Sequence, residues 1–319
     1  MFSFFFCHLA PLLMPGNCLK ATKSYFMWKV KQLVPLHVIR SMTRHIKFRD
    51  KDLWGKFKPD GFEELMILMT LFKDIKVKSY SWLHGKINKE LKMAKKSIEH
   101  NTKVVRKKLY AWSKTVLTPY TKVQLEHLAK QCHCPEPTQN VSLWVDSTDF
   151  WITYKKQDPD RKKTRSYKEK HAARRWVTLC DVEGVTQWVS HPYHPTVYDG
   201  DILIHNAQVI EKIFPKVTII GDNHFRKAED VFKHITLITN KSAAGRPHKV
   251  DGKLVPYQLP EHEKAHKEVI AGVHGSVEGP YGWCKLNIQA LNQAFYENEI
   301  QHNCLVHYSL AIHHMIVQK

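Results

Sequence analysis

The chain has 319 residues, 43% of them hydrophobic, and carries 49 Lys and Arg against 30 Asp and Glu, a net charge of +19. That apolar share excludes a disordered chain, and the length allows one large domain or two smaller ones. The positive excess favours a polyanionic partner, nucleic acid before an anionic membrane, and seven cysteines without framework spacing argue against a secreted disulfide scaffold.

Residues 1–14 are apolar, but no basic segment precedes them, no clear small-residue cleavage site follows, and the run is too short to span a bilayer. Residues 1–60 read as a basic N-terminal arm. Lys20 to Asp60 holds eleven Lys or Arg against three Asp, and Pro35, Gly55 and Pro59 interrupt any long helix. From Phe62 the apolar positions Phe62, Leu65, Met66, Met69, Leu71 and Phe72 predict a helix. A second spans Ser79 to Glu90, with Trp82, Leu83 and Ile87 facing inward. A third begins near Ser97, a suitable N-cap, with Ile98, Val105, Leu109, Trp112 and Val116 as its inner face.

Between Lys73 and Lys114 thirteen Lys or Arg stand against three acids. Three short helices, the last basic on its outer face, read as a small all-α, helix-turn-helix-like DNA-binding domain over 61–130. Arg106, Lys107 and Lys108 are its expected DNA contacts. A plain bundle with a solvated lysine face is the alternative. Gln131-Cys132-His133-Cys134-Pro135 breaks the pattern and marks a linker over 131–140. Three ligands packed so tightly need a fourth from elsewhere to wrap a tetrahedral zinc.

Beyond Val141 strands are expected over Leu143–Tyr154, Trp176–Val182 and Thr186–Ser190, then a helix over Ile202–Ile213 and a strand over Val217–Gly221. Asp181-Val182-Glu183-Gly184 makes the hairpin turn between the second and third strands. Three strands, a helix, a fourth strand and terminal helices follow the ribonuclease H-like order: a mixed α/β sheet flanked by helices over 141–319. In that order the first and fourth strands are parallel neighbours, which brings Asp146 and Asp222 together. Like charges so close repel unless a cation lies between them, and hard oxygen ligands favour Mg²⁺ or Mn²⁺. Asp199, opening a helix, and Glu278, ahead of Lys285, are the other candidate ligands. Asp149, three positions after Asp146, points to the opposite strand face and reads as a surface group or a supporting neighbour of the site.

These segments resemble, in order and spacing, the nuclease domain of Harbinger-type (PIF/Harbinger) transposases, DDE superfamily endonucleases. Val145-Asp146-Ser147-Thr148 resembles the family's first-aspartate strand, and Tyr167-Lys168-Glu169-Lys170-His171 its basic segment before the second strand. His194-Pro195-Thr196-Val197-Tyr198-Asp199 resembles its Pro-Gly-Ser-x-x-Asp turn, and Gly221-Asp222-Asn223-His224-Phe225 its Asp-x-Gly-Tyr. Val277-Glu278 with Lys285 resembles its Val-Glu…Lys helix, and His307-Tyr308-Ser309 its Leu-His-Asn. The chain departs from the family at His194, which precedes Pro195-Thr196 where the family has Pro-Gly, at His224 in place of the glycine, and at His274 in place of an arginine.

The resemblance implies two-metal hydrolysis of DNA phosphodiesters in the nucleus, with the cytoplasm as the alternative. Asp146, Asp222 and Glu278 would be catalytic, and Asp146, Asp199, Asp222 and Glu278 would hold the metal. Lys285 would contact DNA, as would Lys168 and Lys170, which lie within a basic stretch from Lys155 to Arg175. It also implies DNA, a separate DNA-binding protein and a second copy of the chain as partners, and no membrane. The rival reading is a domesticated DNA-binding protein with an inactive nuclease domain.

Overall fold

The computed structural model describes residues 15–49, 51–55, 58, 60–131, 142–153, 165–167, 169–239, 248–250, 253–255, 264, 268, 278–293, 295 and 297–318. The apolar residues 1–14, most of the expected linker, most of the basic stretch after Tyr154 and the approach to Glu278 lie outside that set. The chain divides into two compact units. One comprises residues 1–113, 287–290 and 298–308, the other 114–286, 291–297 and 309–319.

The first unit is helical: α1 (Pro15–Val30), α2 (Leu36–His45), α3 (Phe62–Lys76), α4 (Tyr80–Leu91), most of α5 (Lys95–Val116) and the first part of α9 (Glu299–Val317). Its centre is α3, buried at every position from Leu65 to Phe72. The expectation of an irregular arm is corrected here. Val38, Ile39 and Met42 bury one face of α2, and Phe26 and Val30 do the same for α1. Pro35 does not break α2, because it stands at the N-cap, just before the first turn, where a missing N–H removes no helical bond.

Ser79 caps α4 as expected, accepting from Trp82 N at 3.1 Å. Ser97 does not cap α5, which begins two residues earlier; the Ser97 amide donates to the Ala94 carbonyl. The inner face of α5 holds: Ile98, Val105, Leu109 and Trp112 are buried. Arg106, placed on its outer face by the sequence, is a correction. Its guanidinium is fully buried and donates through Nε to Asp74 Oδ2 at 2.9 Å and through Nη2 to Asp74 Oδ1, while Tyr308 donates to the same carboxylate at 2.5 Å.

The second unit is built on a five-stranded mixed sheet, order β3-β2-β1-β4-β5, flanked by helices. Its strands are β1 (Leu143–Trp151), β2 (Ala173–Cys180), β3 (Thr186–Val189), β4 (Thr218–Gly221) and β5 (Thr236–Thr239), with α7 (Asp199–Ile213) between β3 and β4. β1 and β2 are antiparallel, as are β2 and β3, whereas β4 runs parallel to both β1 and β5. The β1–β2 ladder continues to Trp151, but the β1–β4 ladder ends at Val145↔Gly221.

Strand alternation sorts the core into two faces. Leu143, Val145, Val177, Leu179 and Ile219 pack on Ile202, Leu203 and Ile210 of α7. Trp144, Cys180 and Ile220 pack on Ala129 of α6 (Lys122–Gln131). α6 therefore belongs to the sheet unit, which starts at Lys114, and not to the helical domain that the sequence extended to residue 130.

The β2–β3 turn is pinned by Asp181, whose Oδ1 accepts from Glu183 N and Val185 N, and by Gly184 at φ 77, a left-handed position where a side chain is disfavoured. A small antiparallel pair, β6 (His248–Val250) and β7 (Lys253–Val255), has no counterpart in the sequence reading. A further helix, α8, covers residues 278–287. Among the described residues no helix is long and apolar enough to cross a membrane.

Candidate functional site

Asp146 and Asp222 are the next residues on two parallel strands after the pair Val145↔Gly221. Neighbouring strands lie about 4.8 Å apart, so the two backbones meet at one level. The approach depends on a glycine. A Cβ on Gly221 would sit 2.6 Å from Val145 Cγ1 and 3.0 Å from Phe225 Cδ2. Both aspartates are partly exposed. Asp146 Oδ1 accepts from Ser147 N at 2.7 Å, and Asp222 Oδ1 accepts from His224 N at 2.8 Å, capping the 3-10 turn Asn223–Ala228.

The face of β1 that carries Asp146 also meets α8. The Tyr281 hydroxyl lies 3.3 Å from the carbonyl oxygens of both Asp146 and Trp176. Burial, then the charge of Asp146, holds that phenol well above its ordinary pKa, so it stays a proton donor. Cys180 is pushed up to about 12, chiefly by burial, and remains a thiol. Soft thiolate ligation is thereby disfavoured. Glu278 opens the described part of α8 and is exposed, three residues before Tyr281 and so on the same helical face. α8 runs on through Pro280 to Lys285, whose ammonium donates to Glu169 Oε1 at 2.9 Å. Glu169 Oε2 accepts from Trp151 Nε1 at 3.0 Å.

Asp199 lies elsewhere. Its Oδ1 accepts from Arg175 Nη1 at 2.6 Å and its Oδ2 from Ser147 Oγ at 2.8 Å, on the strand face opposite Asp146. Arg175 also donates to both oxygens of Asp149, at 2.7 and 3.1 Å. Asp149 is 1% exposed and accepts from Ser166 Oγ as well. It points away from Asp146 as alternation requires, but it is the anchor of a buried ion network and not a surface group. Among the described residues no three His, Cys, Asp or Glu side chains form a group that could hold a metal ion. The structure thus brings Asp146, within β1, level with Asp222, just past the end of β4, places Glu278 one turn ahead of Tyr281, and commits Asp199 to a guanidinium.

The expected DNA contacts divide similarly. Lys107 is exposed, but Lys108 pairs with Asp52 at 3.2 Å. Lys170 is exposed, with its ammonium 4.0 Å from the ring centre of Tyr167. Lys168 and the basic residues from Lys155 to Lys163 lie outside the described residues.

Ser147 and Glu169 escaped the sequence reading. Ser147 joins the two acids, its amide on Asp146 and its hydroxyl on Asp199. The one signal for Glu169 was its being the sole acid between Arg161 and Arg175. No family model, curated protein or solved structure matches the chain.

Proposed function

We propose that this chain is a divalent-metal-dependent DNA endonuclease of the Harbinger-type DDE kind, its sheet unit ribonuclease H-like. The observation that carries this reading is the Val145↔Gly221 register, which sets Asp146 beside Asp222. Three antiparallel strands followed by two parallel ones, in the order β3-β2-β1-β4-β5, support it, as does the +19 charge.

Two partly exposed carboxylates, one within β1 and one just past the end of β4, beside a thiol kept protonated, suit a hard cation. Asp146 and Asp222 would hold Mg²⁺ or Mn²⁺, joined by Glu278. When bound, the metal supplies water activation and stabilisation of a departing 3′-oxygen. The chain's own residues orient the acids. The Ser147 amide fixes the Asp146 carboxylate, Tyr281 holds the β1 and β2 carbonyls beneath it, and the cap on His224 N fixes Asp222. Asp199 acts in this scheme through Ser147, as a positioning acid. The helical unit would supply affinity for DNA in the nucleus.

The test is nicking of supercoiled plasmid by the purified chain with Mn²⁺ and with EDTA. Nicking that requires the metal and is lost in Asp146→Asn, with DNA affinity kept, supports the reading. DNA binding without nicking by the parent protein would sink it and leave the domesticated DNA-binding protein.

A further inference from the structure

The first 49 residues contain eight Lys or Arg and no Asp or Glu. In the helical unit, Pro15–Val30 and Leu36–His45 of this stretch form α1 and α2, which the sequence reading passed over as an arm. α2 is divided cleanly in two. Val38, Ile39 and Met42 are buried, and Trp112 Nε1 ties the helix to α5 through Ser41 Oγ at 3.2 Å. The opposite face presents Leu36, His37, Arg40 and Arg44, all exposed, and Lys47 follows, also exposed. No side-chain hydrogen bond or ion pair engages Arg40 or Arg44 among the described residues.

On α5, Arg106 is neutralised by Asp74, Lys108 by Asp52 and Lys103 by Glu99, while Lys95, Lys96 and Lys107 stay exposed. On α1, Lys20, Ser24 and Trp28 share one exposed face, followed by exposed Lys31, with Trp28 49% exposed and Lys29 Nζ 4.1 Å from its ring centre.

We infer that α2 carries a phosphate-binding surface of the helical unit, and that its occupant is the backbone of duplex DNA. An exposed helix face whose cations lack internal partners keeps its full charge for an outside polyanion. Arg40 and Arg44 stand one turn apart, about 6 Å along the axis, so both guanidiniums reach one phosphate backbone. Guanidinium suits phosphate because its fork donates two parallel hydrogen bonds. The choice of DNA over another polyanion rests on the nuclease reading; the location of the surface does not.

The experiment measures affinity of the full chain for a mixed-sequence duplex at several salt concentrations, in EDTA so that cutting plays no part. Each lost phosphate contact flattens the slope of log K against log salt by about 0.9, so Arg40→Gln with Arg44→Gln should flatten it by about 1.8 and weaken binding about tenfold or more. The Arg40→Lys, Arg44→Lys variant should keep the parent slope, which separates lost charge from lost folding. An unchanged slope in the Gln variant would overturn the inference. So would tighter binding to anionic phospholipid vesicles than to the duplex. Failure of the nuclease reading would appear separately, as no metal-dependent nicking with this salt response intact.

Discussion

Arg175 and Asp149 face each other as register partners across β1 and β2, and the same guanidinium reaches Asp199 on α7. One cation thus holds two carboxylates, one of them fully buried, and ties the start of α7 to the sheet. Arg175→Met leaves both acids without it. Breaking a buried pair from one side costs about 3–5 kcal/mol. Urea unfolding should show a loss of that size, largely recovered by adding Asp149→Asn. A loss under about 1 kcal/mol would mean the network is solvated.

Gly221→Ala should be destabilising through its clash with Val145 and Phe225, by about 1–3 kcal/mol, as overpacked sites are. Val145→Ala alone opens a cavity. Combined with Gly221→Ala it supplies the missing room, so the double variant should be more stable than the sum of the two single losses. Additive losses in thermal melts would show that β4 shifts away from β1 instead.

Arg106→Ala and Lys107→Ala, neighbours on α5, should behave oppositely. The first strands the buried Asp74 and costs about 3–5 kcal/mol of stability. The second changes an exposed residue, for which changes within about 0.5 kcal/mol are usual. Denaturation curves of the two proteins decide it. Equal midpoints would contradict the buried pairing.

Asp181 sets a pH dependence. Burial, outweighing the donors from Val185, Glu183 and Gln187, raises its pKa from 3.8 to about 6. The folded state therefore keeps a proton that the unfolded state has released between about pH 4 and pH 6. Stability contributed by this group is fully present below pH 4 and falls as pH rises through 6, by at most about 3 kcal/mol. The melting temperature of the parent relative to Asp181→Asn should decline across that window and level off above it. A difference that rises with pH would reverse the assignment.

The strands that build the site were readable because apolar runs mark them, Leu143–Val145 and Phe150–Trp151 in β1 and Val217–Ile220 before Gly221 in β4. Leu143–Trp151 and Thr218–Gly221 lie within the expected Leu143–Tyr154 and Val217–Gly221, so the neighbouring of Asp146 and Asp222 could be anticipated. The role of Asp199 could not, because Arg175 sits in a basic run that looks solvated, and only the β1–β2 register shows it opposite Asp149. Arg106 misled for a related reason. Spacing along α5 locates its apolar stripe but is silent about a charged residue beside it, whose partner is 32 positions away. α1 and α2 were hidden by their charge and by Pro35, although Val34, Val38, Ile39 and Met42 already carried a helical period.

β4 stops where β1 continues, so the two chains part like the tines of a fork, with Asp146 and Asp222 at the crotch. The sheet changes direction of travel there, β2 and β3 lying to one side of β1 and β4 and β5 to the other. Open α/β sheets take their ligands at such a reversal. The mouth of this fork is cut by main chain: β2 braces one tine through Trp151, and β5 braces the other through Gly221. Substitutions along its rim would change the side chains that line the gap, while the main chain keeps its width.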